Sequence, residues 1–164
     1  MKELFDSFDR VQLNEKKGLV LLDTCFIFSV LDQDQELPKG LPYALSSFTV
    51  EEILKVGHRL HKMKVRLRRL LKENDFIIIE TPVHIGDYKG EKEFVSSIDL
   101  ELLKHIQDPS DAVLFAVAIK THSTLFTKDK HHLFTAELEN YGKQFGLQVY
   151  KELKDLNNEN LQAS

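Results

Sequence analysis

The clearest feature of the hydrophobic pattern is a short unbroken run, Leu19 to Leu22, that stops at Asp23. A strand covered on both faces reads as continuous apolar residues rather than as an alternation. These residues therefore predict a buried strand with Asp23 at its carboxyl end. Phe76 to Ile79, closed by Glu80 and Pro82, has the same character, and Ser123 to Phe126 and, behind Gly146, Leu147 to Tyr150 are predicted as further strands. A very short strand is also predicted at Phe48 to Val50.

Helical spacing fills the intervals. Leu4, Phe5, Phe8 and Val11 predict an amphipathic helix within residues 2–16, and Thr24, Phe26, Ile27, Val30 and Leu31 a second one after Asp23. The prolines and glycine of Asp32 to Pro42 mark a loop. Thr49 is the expected cap of a long helix that opens with Glu51 and Glu52 and runs to Lys72, with Ile53, Val56, Leu60, Met63, Leu67 and Leu70 or Leu71 as its inward stripe. Val83 to Gly90 reads as a loop and Glu91 to Gln107 as a helix. Asp108 is a cap and Pro109 a first-turn residue, and Ala112 to Ile119 is apolar all round, as a helix inside the domain would be. A last helix is expected from about Lys130 to Lys143.

Strands alternating with helices predict an α/β fold, a three-layer α/β/α sandwich with a central, mainly parallel sheet. The expected organisation is one domain over residues 1–156 with an N-terminal helical extension, and a polar, disordered tail over 157–164. A length of 164 residues suits a single core. With one cysteine, Cys25, a disulfide framework and a Cys-based zinc site are excluded. No apolar stretch approaches the roughly 20 residues that span a bilayer, and the first residues lack the apolar core of a signal peptide. A cytoplasmic protein that does not engage a membrane is the expectation.

The net charge of −4 argues against a globally basic nucleic-acid binder, so any such binding must be local. One segment qualifies: between Glu51 and Lys72 there are eight Lys or Arg against two Glu. A charge run is ordinarily a solvated helix face. Its density here nonetheless makes Lys64, Arg66, Arg68 and Arg69 the candidates for binding phosphates.

In a parallel sheet Asp23 and Asp129 would leave strand ends on one edge, where ligands bind in open α/β sheets. Asp111, in the first turn of the buried helix, and Glu52 start from the same region. Each acid has an ordinary explanation alone. Asp23 and Asp129 can cap helices, Asp111 can complete a capping box with Asp108, and Glu52 or its neighbour Glu51 can complement a helix dipole. Gathered at one edge, however, such carboxylates repel one another unless a cation is present. Mg²⁺ or Mn²⁺, which prefer oxygen ligands, meet that need.

The stretches LLDTCFIF, SSFTVEEILKVG, DPSDAVLFAVAIK and LFTKDKHHL, in that order, resemble the PIN-domain family of metal-dependent ribonucleases over about Gly18 to Tyr150. The resemblance implies a Mg²⁺- or Mn²⁺-dependent endoribonuclease, toxin-like or RNA-processing, with Asp23, Glu52, Asp111 and Asp129 as metal-binding catalytic acids. Thr127 is implied as the supporting hydroxyl, Thr24 also matches, and Asp108 lies close enough to be an auxiliary ligand. RNA as substrate, a homodimer and an antitoxin partner are implied in the same way. The N-terminal helix, the longer segment from Thr81 to Glu93 and the basic helix depart from the shortest toxin members. The competing reading is a non-catalytic RNA-binding or scaffold domain of that fold. A nucleotide-binding G-x-x-x-x-G-K loop is absent from the sequence, and Cys25 reads as a small buried side chain rather than a nucleophile.

Overall fold

The computed structural model describes residues 1–128 and 136–157. Six strands form one sheet in the order β1 (Asp9–Gln12), β4 (Phe76–Glu80), β3 (Tyr43–Ser46), β2 (Val20–Leu22), β5 (Thr124–Phe126) and β6 (Val149–Tyr150). Every neighbouring pair is parallel. The helices are α1 (Lys2–Asp6), α2 (Thr24–Asp32), α3 (Ser47–Lys55), α4 (Lys64–Glu73), α5 (Tyr88–Ile98), α6 (Leu102–His105), α7 (Pro109–Thr121) and α8 (Ala136–Lys143).

Alternate strand residues feed two apolar clusters, as the two-residue period of a strand requires. Val20, Leu22, Tyr43, Leu45, Phe76, Ile78 and Phe126 meet side chains of α1, α2 and α4. Leu21, Ala44, Ile79 and Leu125 meet those of α5, α6, α7 and α8. The sheet is thus sandwiched between two helical layers, and α7 is apolar all round because it lies against the sheet beneath α5 and α8. Among the described residues no helix is long and apolar enough to cross a membrane.

Four local expectations are corrected. The helix predicted within residues 2–16 stops at Asp6, and Asp9–Gln12 form an edge strand on β4. The N-terminal extension is therefore partly sheet. Phe48 to Val50 are helical: the strand lies earlier, at Tyr43–Ser46, and Ser46 rather than Thr49 caps α3, its Oγ accepting from the Thr49 amide at 2.9 Å. The long basic helix is two helices, separated by turns around Gly57 and a 3₁₀ segment, Arg59–His61. Glu91 to Gln107 likewise divides, with α5 starting earlier, at Tyr88, behind an Asp87 cap whose carboxylate accepts from the Gly90 amide.

After β2 the chain steps outward through β3 to β4, and then returns to place β5 on the other side of β2. This reversal opens a crevice between the carboxyl ends of β2 and β5, the usual ligand position in such sheets.

Candidate functional site

Asp23 follows the last residue of β2, and its amide donates to Phe126 O of β5 at 2.9 Å. One carboxylate oxygen, Oδ1, accepts from the Thr24 amide at 2.7 Å, so Asp23 does cap α2. Its other oxygen, Oδ2, accepts from Thr127 Oγ1 at 2.7 Å and from Cys25 Sγ at 3.0 Å. Thr127 is fully buried at the end of β5, held by its amide on Tyr150 O at 3.0 Å. The two strands on either side of the switch point therefore fix one carboxylate between them. A carboxylate offers about four acceptor positions, so it can be held in this way and still face a ligand.

Cys25 is woven into the same network, accepting from the Lys128 amide at 3.3 Å. Burial first, and the Asp23 charge second, push its thiol up to about 12. It remains a protonated donor to Asp23 and is unsuited to act as a thiolate nucleophile.

Glu52 lies in the second turn of α3, because that helix starts earlier than the sequence pattern implies. A dipole role is accordingly unavailable to it, since the effect fades beyond the first turn. Its carboxyl is pushed up to about 8, by burial first and then by the charges of Asp23 and Asp111, with Glu91 adding a smaller push. The Thr24 hydroxyl, buried without a hydrogen bond of ordinary geometry among the described residues, lies close enough to oppose the shift slightly. Asp111 occupies the first turn of α7, whose start Asp108 caps by accepting from the Ser110 amide at 3.0 Å. Asp23, Glu52 and Asp111 are thus electrostatic neighbours, whereas Asp108 is an exposed cap. Asp129 lies outside the described residues.

Glu51, adjacent in sequence, points elsewhere. Its carboxylate is bonded to His84 Nδ1 and accepts from the Ile85 amide at 3.0 Å, anchoring the loop after β4. Ser47 Oγ ties the same loop by accepting from the Thr81 amide at 2.9 Å. The contacts separate the two glutamates: Glu51 is taken up by the loop, whereas Glu52 feels the charges of Asp23 and Asp111.

The basic residues are placed apart from the acids. Arg66 donates to Leu31 O at 2.9 Å, and Arg69 pairs with Asp34 at 2.7 Å. Both partners sit at the end of α2 remote from Asp23, roughly 12 Å along a nine-residue helix at 1.5 Å per residue. Half-buried Lys64 and exposed Arg68 have no hydrogen bond or ion pair among the described residues.

The sequence pattern carries no signal for Glu91, the fourth residue of α5, which is 1% exposed and bonded to Ser110. It reads in sequence as an ordinary acid at a helix start, and burial alone distinguishes it.

The donor set fits a hard divalent cation in kind: carboxylates, partly desolvated, crowded enough that one holds a proton at neutral pH. Among the described residues, however, no three His, Cys, Asp or Glu side chains stand as a ready-made ligand group. Fold and crevice together define an α/β sandwich with an acidic site at its topological switch point. No family model matches the chain, and no curated protein matches it either.

Proposed function

We propose that the chain is a Mg²⁺- or Mn²⁺-dependent endoribonuclease of the PIN type, hydrolysing RNA phosphodiester bonds at the crevice between β2 and β5. One observation carries this reading: Asp23, Glu52 and Asp111, distant in sequence, come close enough that burial first and the charges of the two aspartates second lift the Glu52 carboxyl to about 8. A protein accepts such repulsion where a cation relieves it in the working state. Asp23, Glu52, Asp111 and Asp129 would hold the ion. When bound, it supplies an activated water and neutralises charge on the phosphodiester.

The chain's own residues do the rest. Thr127 and Cys25 hold the Oδ2 side of Asp23, and the Thr24 amide holds Oδ1, so the carboxylate is oriented before any ligand arrives. Lys64 and Arg68 are the available partners for RNA phosphates, with Arg66 and Arg69 serving first to pin α4 to the end of α2. A cytoplasmic toxin, working as a homodimer and restrained by an antitoxin, and an RNA-processing nuclease are both compatible roles.

The test is Mn²⁺-dependent cleavage of single-stranded and structured RNA by the wild type beside Asp23→Asn. Cleavage by the wild type and none by the variant is expected. Equal rates for the two proteins would end the nuclease reading. A non-catalytic RNA-binding domain is the second reading, favoured by the lack of a ready-made ligand group among the described residues. It predicts RNA retention by both proteins and hydrolysis by neither.

A further inference from the structure

The segment from Thr81 to Glu93 has no role in the chemistry above, yet the fold holds it firmly. Ser47 Oγ accepts from the Thr81 amide at 2.9 Å, Glu51 is bonded to His84 and accepts from the Ile85 amide at 3.0 Å, and Asp87 caps α5 by accepting from the Gly90 amide at 3.0 Å. What this pinned loop presents is Tyr88, the first residue of α5. It is 56% exposed and, with Val65 and Leu100, one of three large hydrophobic side chains left exposed among the described residues. It is the only aromatic of the three.

Its position follows from the helix packing. Glu91, about 4.5 Å further along α5 at 1.5 Å per residue, is bonded to the Ser110 hydroxyl at 3.0 Å, and Ser110 immediately precedes Asp111. The first turns of α5 and α7 therefore lie side by side, and Tyr88 stands at the outer end of the wall that carries Asp111.

Cations accompany the ring. Lys92, one turn on, places its Nζ 4.4 Å from the Tyr88 ring centroid and has no carboxylate partner among the described residues. Lys89 has only a long pairing with Glu93, at 3.9 Å between two exposed side chains, an interaction worth little in water. The nearer acids are engaged elsewhere, Asp87 on the Gly90 amide and Glu91 on Ser110. One exposed tyrosine ordinarily needs no explanation. A rigidly mounted ring with lysines beside it, at the rim of a crevice, is a different matter. Aromatic faces with neighbouring cations hold single-stranded nucleic acid, the ring stacking on a base and the cations meeting phosphates. Only an unpaired base can be splayed out onto such a ring.

We propose that Tyr88, with Lys89 and Lys92, is a stacking platform for an unpaired base of the RNA, so that the strand is single where it enters the crevice; this rests on the nuclease reading above. The cations of α4, at the far end of α2, cannot serve this purpose.

Tyr88→Ala removes the ring and Tyr88→Phe keeps it. The probe is a short single-stranded oligouridylate carrying one 2-aminopurine, titrated with the full chain in chelator so that no hydrolysis intervenes. Affinity is read from the titration and stacking from quenching of the fluorescent base. Tyr88→Ala is expected to bind about tenfold more weakly, or about 1.4 kcal/mol, and to lose the quenching, whereas Tyr88→Phe stays within about threefold of wild type. A duplex of the same sequence should bind all three proteins alike. Unchanged binding by Tyr88→Ala overturns the proposal, as does a Tyr88→Phe as weak as Tyr88→Ala, or an equal loss for duplex and single strand. The two readings fail separately. Wild type that cleaves RNA in Mn²⁺ beside a Tyr88→Ala that binds normally ends the platform alone, and wild type that binds through Tyr88 but cleaves nothing ends the nuclease alone.

Discussion

Replacing Glu52 by glutamine removes a buried carboxyl that feels the charges of Asp23 and Asp111, and its effect can be worked out in advance. The folded-state pKa stands at about 8 against an ordinary 4.5. Each pKa unit is worth about 1.4 kcal/mol, so the difference corresponds at most to roughly 5 kcal/mol. Relaxation and water entry, which give protein sites a high effective dielectric, are expected to leave about half of it, roughly 2–3 kcal/mol. The sign follows from linkage. A glutamate whose folded pKa is raised binds its proton more tightly in the folded state. That contribution to stability is complete below about pH 4.5 and drains away as pH rises through about 8. Glutamine does not titrate. In chelator, therefore, the variant should melt above the wild type at pH 9, by roughly 5–10 °C at 2–4 °C per kcal/mol for a chain of this size. The gap should narrow steadily toward pH 5. Saturating Mn²⁺ should close it, because an ion that binds only the folded wild type stabilises it by about 2.7 kcal/mol at a hundred times Kd. A gap that is constant with pH, or that opens toward acid, would refute the raised Glu52 carboxyl, and with it the burial and neighbouring charge that the site places around it.

The remaining predictions concern the other walls of the crevice and the basic helix. Asp111→Asn should stabilise the metal-free protein in thermal melts, by relieving its repulsion of Glu52, while abolishing RNA cleavage; a lower melting point in chelator would make Asp111 chiefly a structural acid. Neutralising Lys64 and Arg68 together should weaken RNA binding and lower the slope of log affinity against log salt by about one for each phosphate that is no longer paired with a cation. Neutralising Arg66 and Arg69 should instead lower the melting temperature, since those side chains hold the end of α2.

Several features of the site are legible in the sequence because they are local. The Leu19 to Leu22 run and the Asp23 that ends it, the Asp108 and Pro109 start of α7 and the Thr127 that follows β5 all depend on residues adjacent in the chain. Other features are not legible, and the reasons are specific. Phe5, Phe8 and Val11 fall at helical spacing by coincidence, and only pairing with β4, far along the chain, makes Asp9–Gln12 a strand. Tyr43–Ser46 closes a loop rich in proline and glycine and carries no strand signature of its own, which makes Thr49 look like the cap that Ser46 is. Glu51 looks like a rival of Glu52 in the sequence, and only the approach of the loop after β4 to α3 makes it a loop anchor.

What the sequence determined by itself was the class of fold and the place of Asp23 at the carboxyl end of a buried strand, because the burial pattern of a strand and the capping of a helix are written within a few residues of each other. Which acids meet there was decided only in three dimensions. Glu91 and Ser110 come together through the packing of α5 on α7, and Glu52 approaches Asp23 through the pairing of β3 with β2. A side chain's neighbours across a sheet are set by register and helix packing, and neither leaves a trace in the residues beside it.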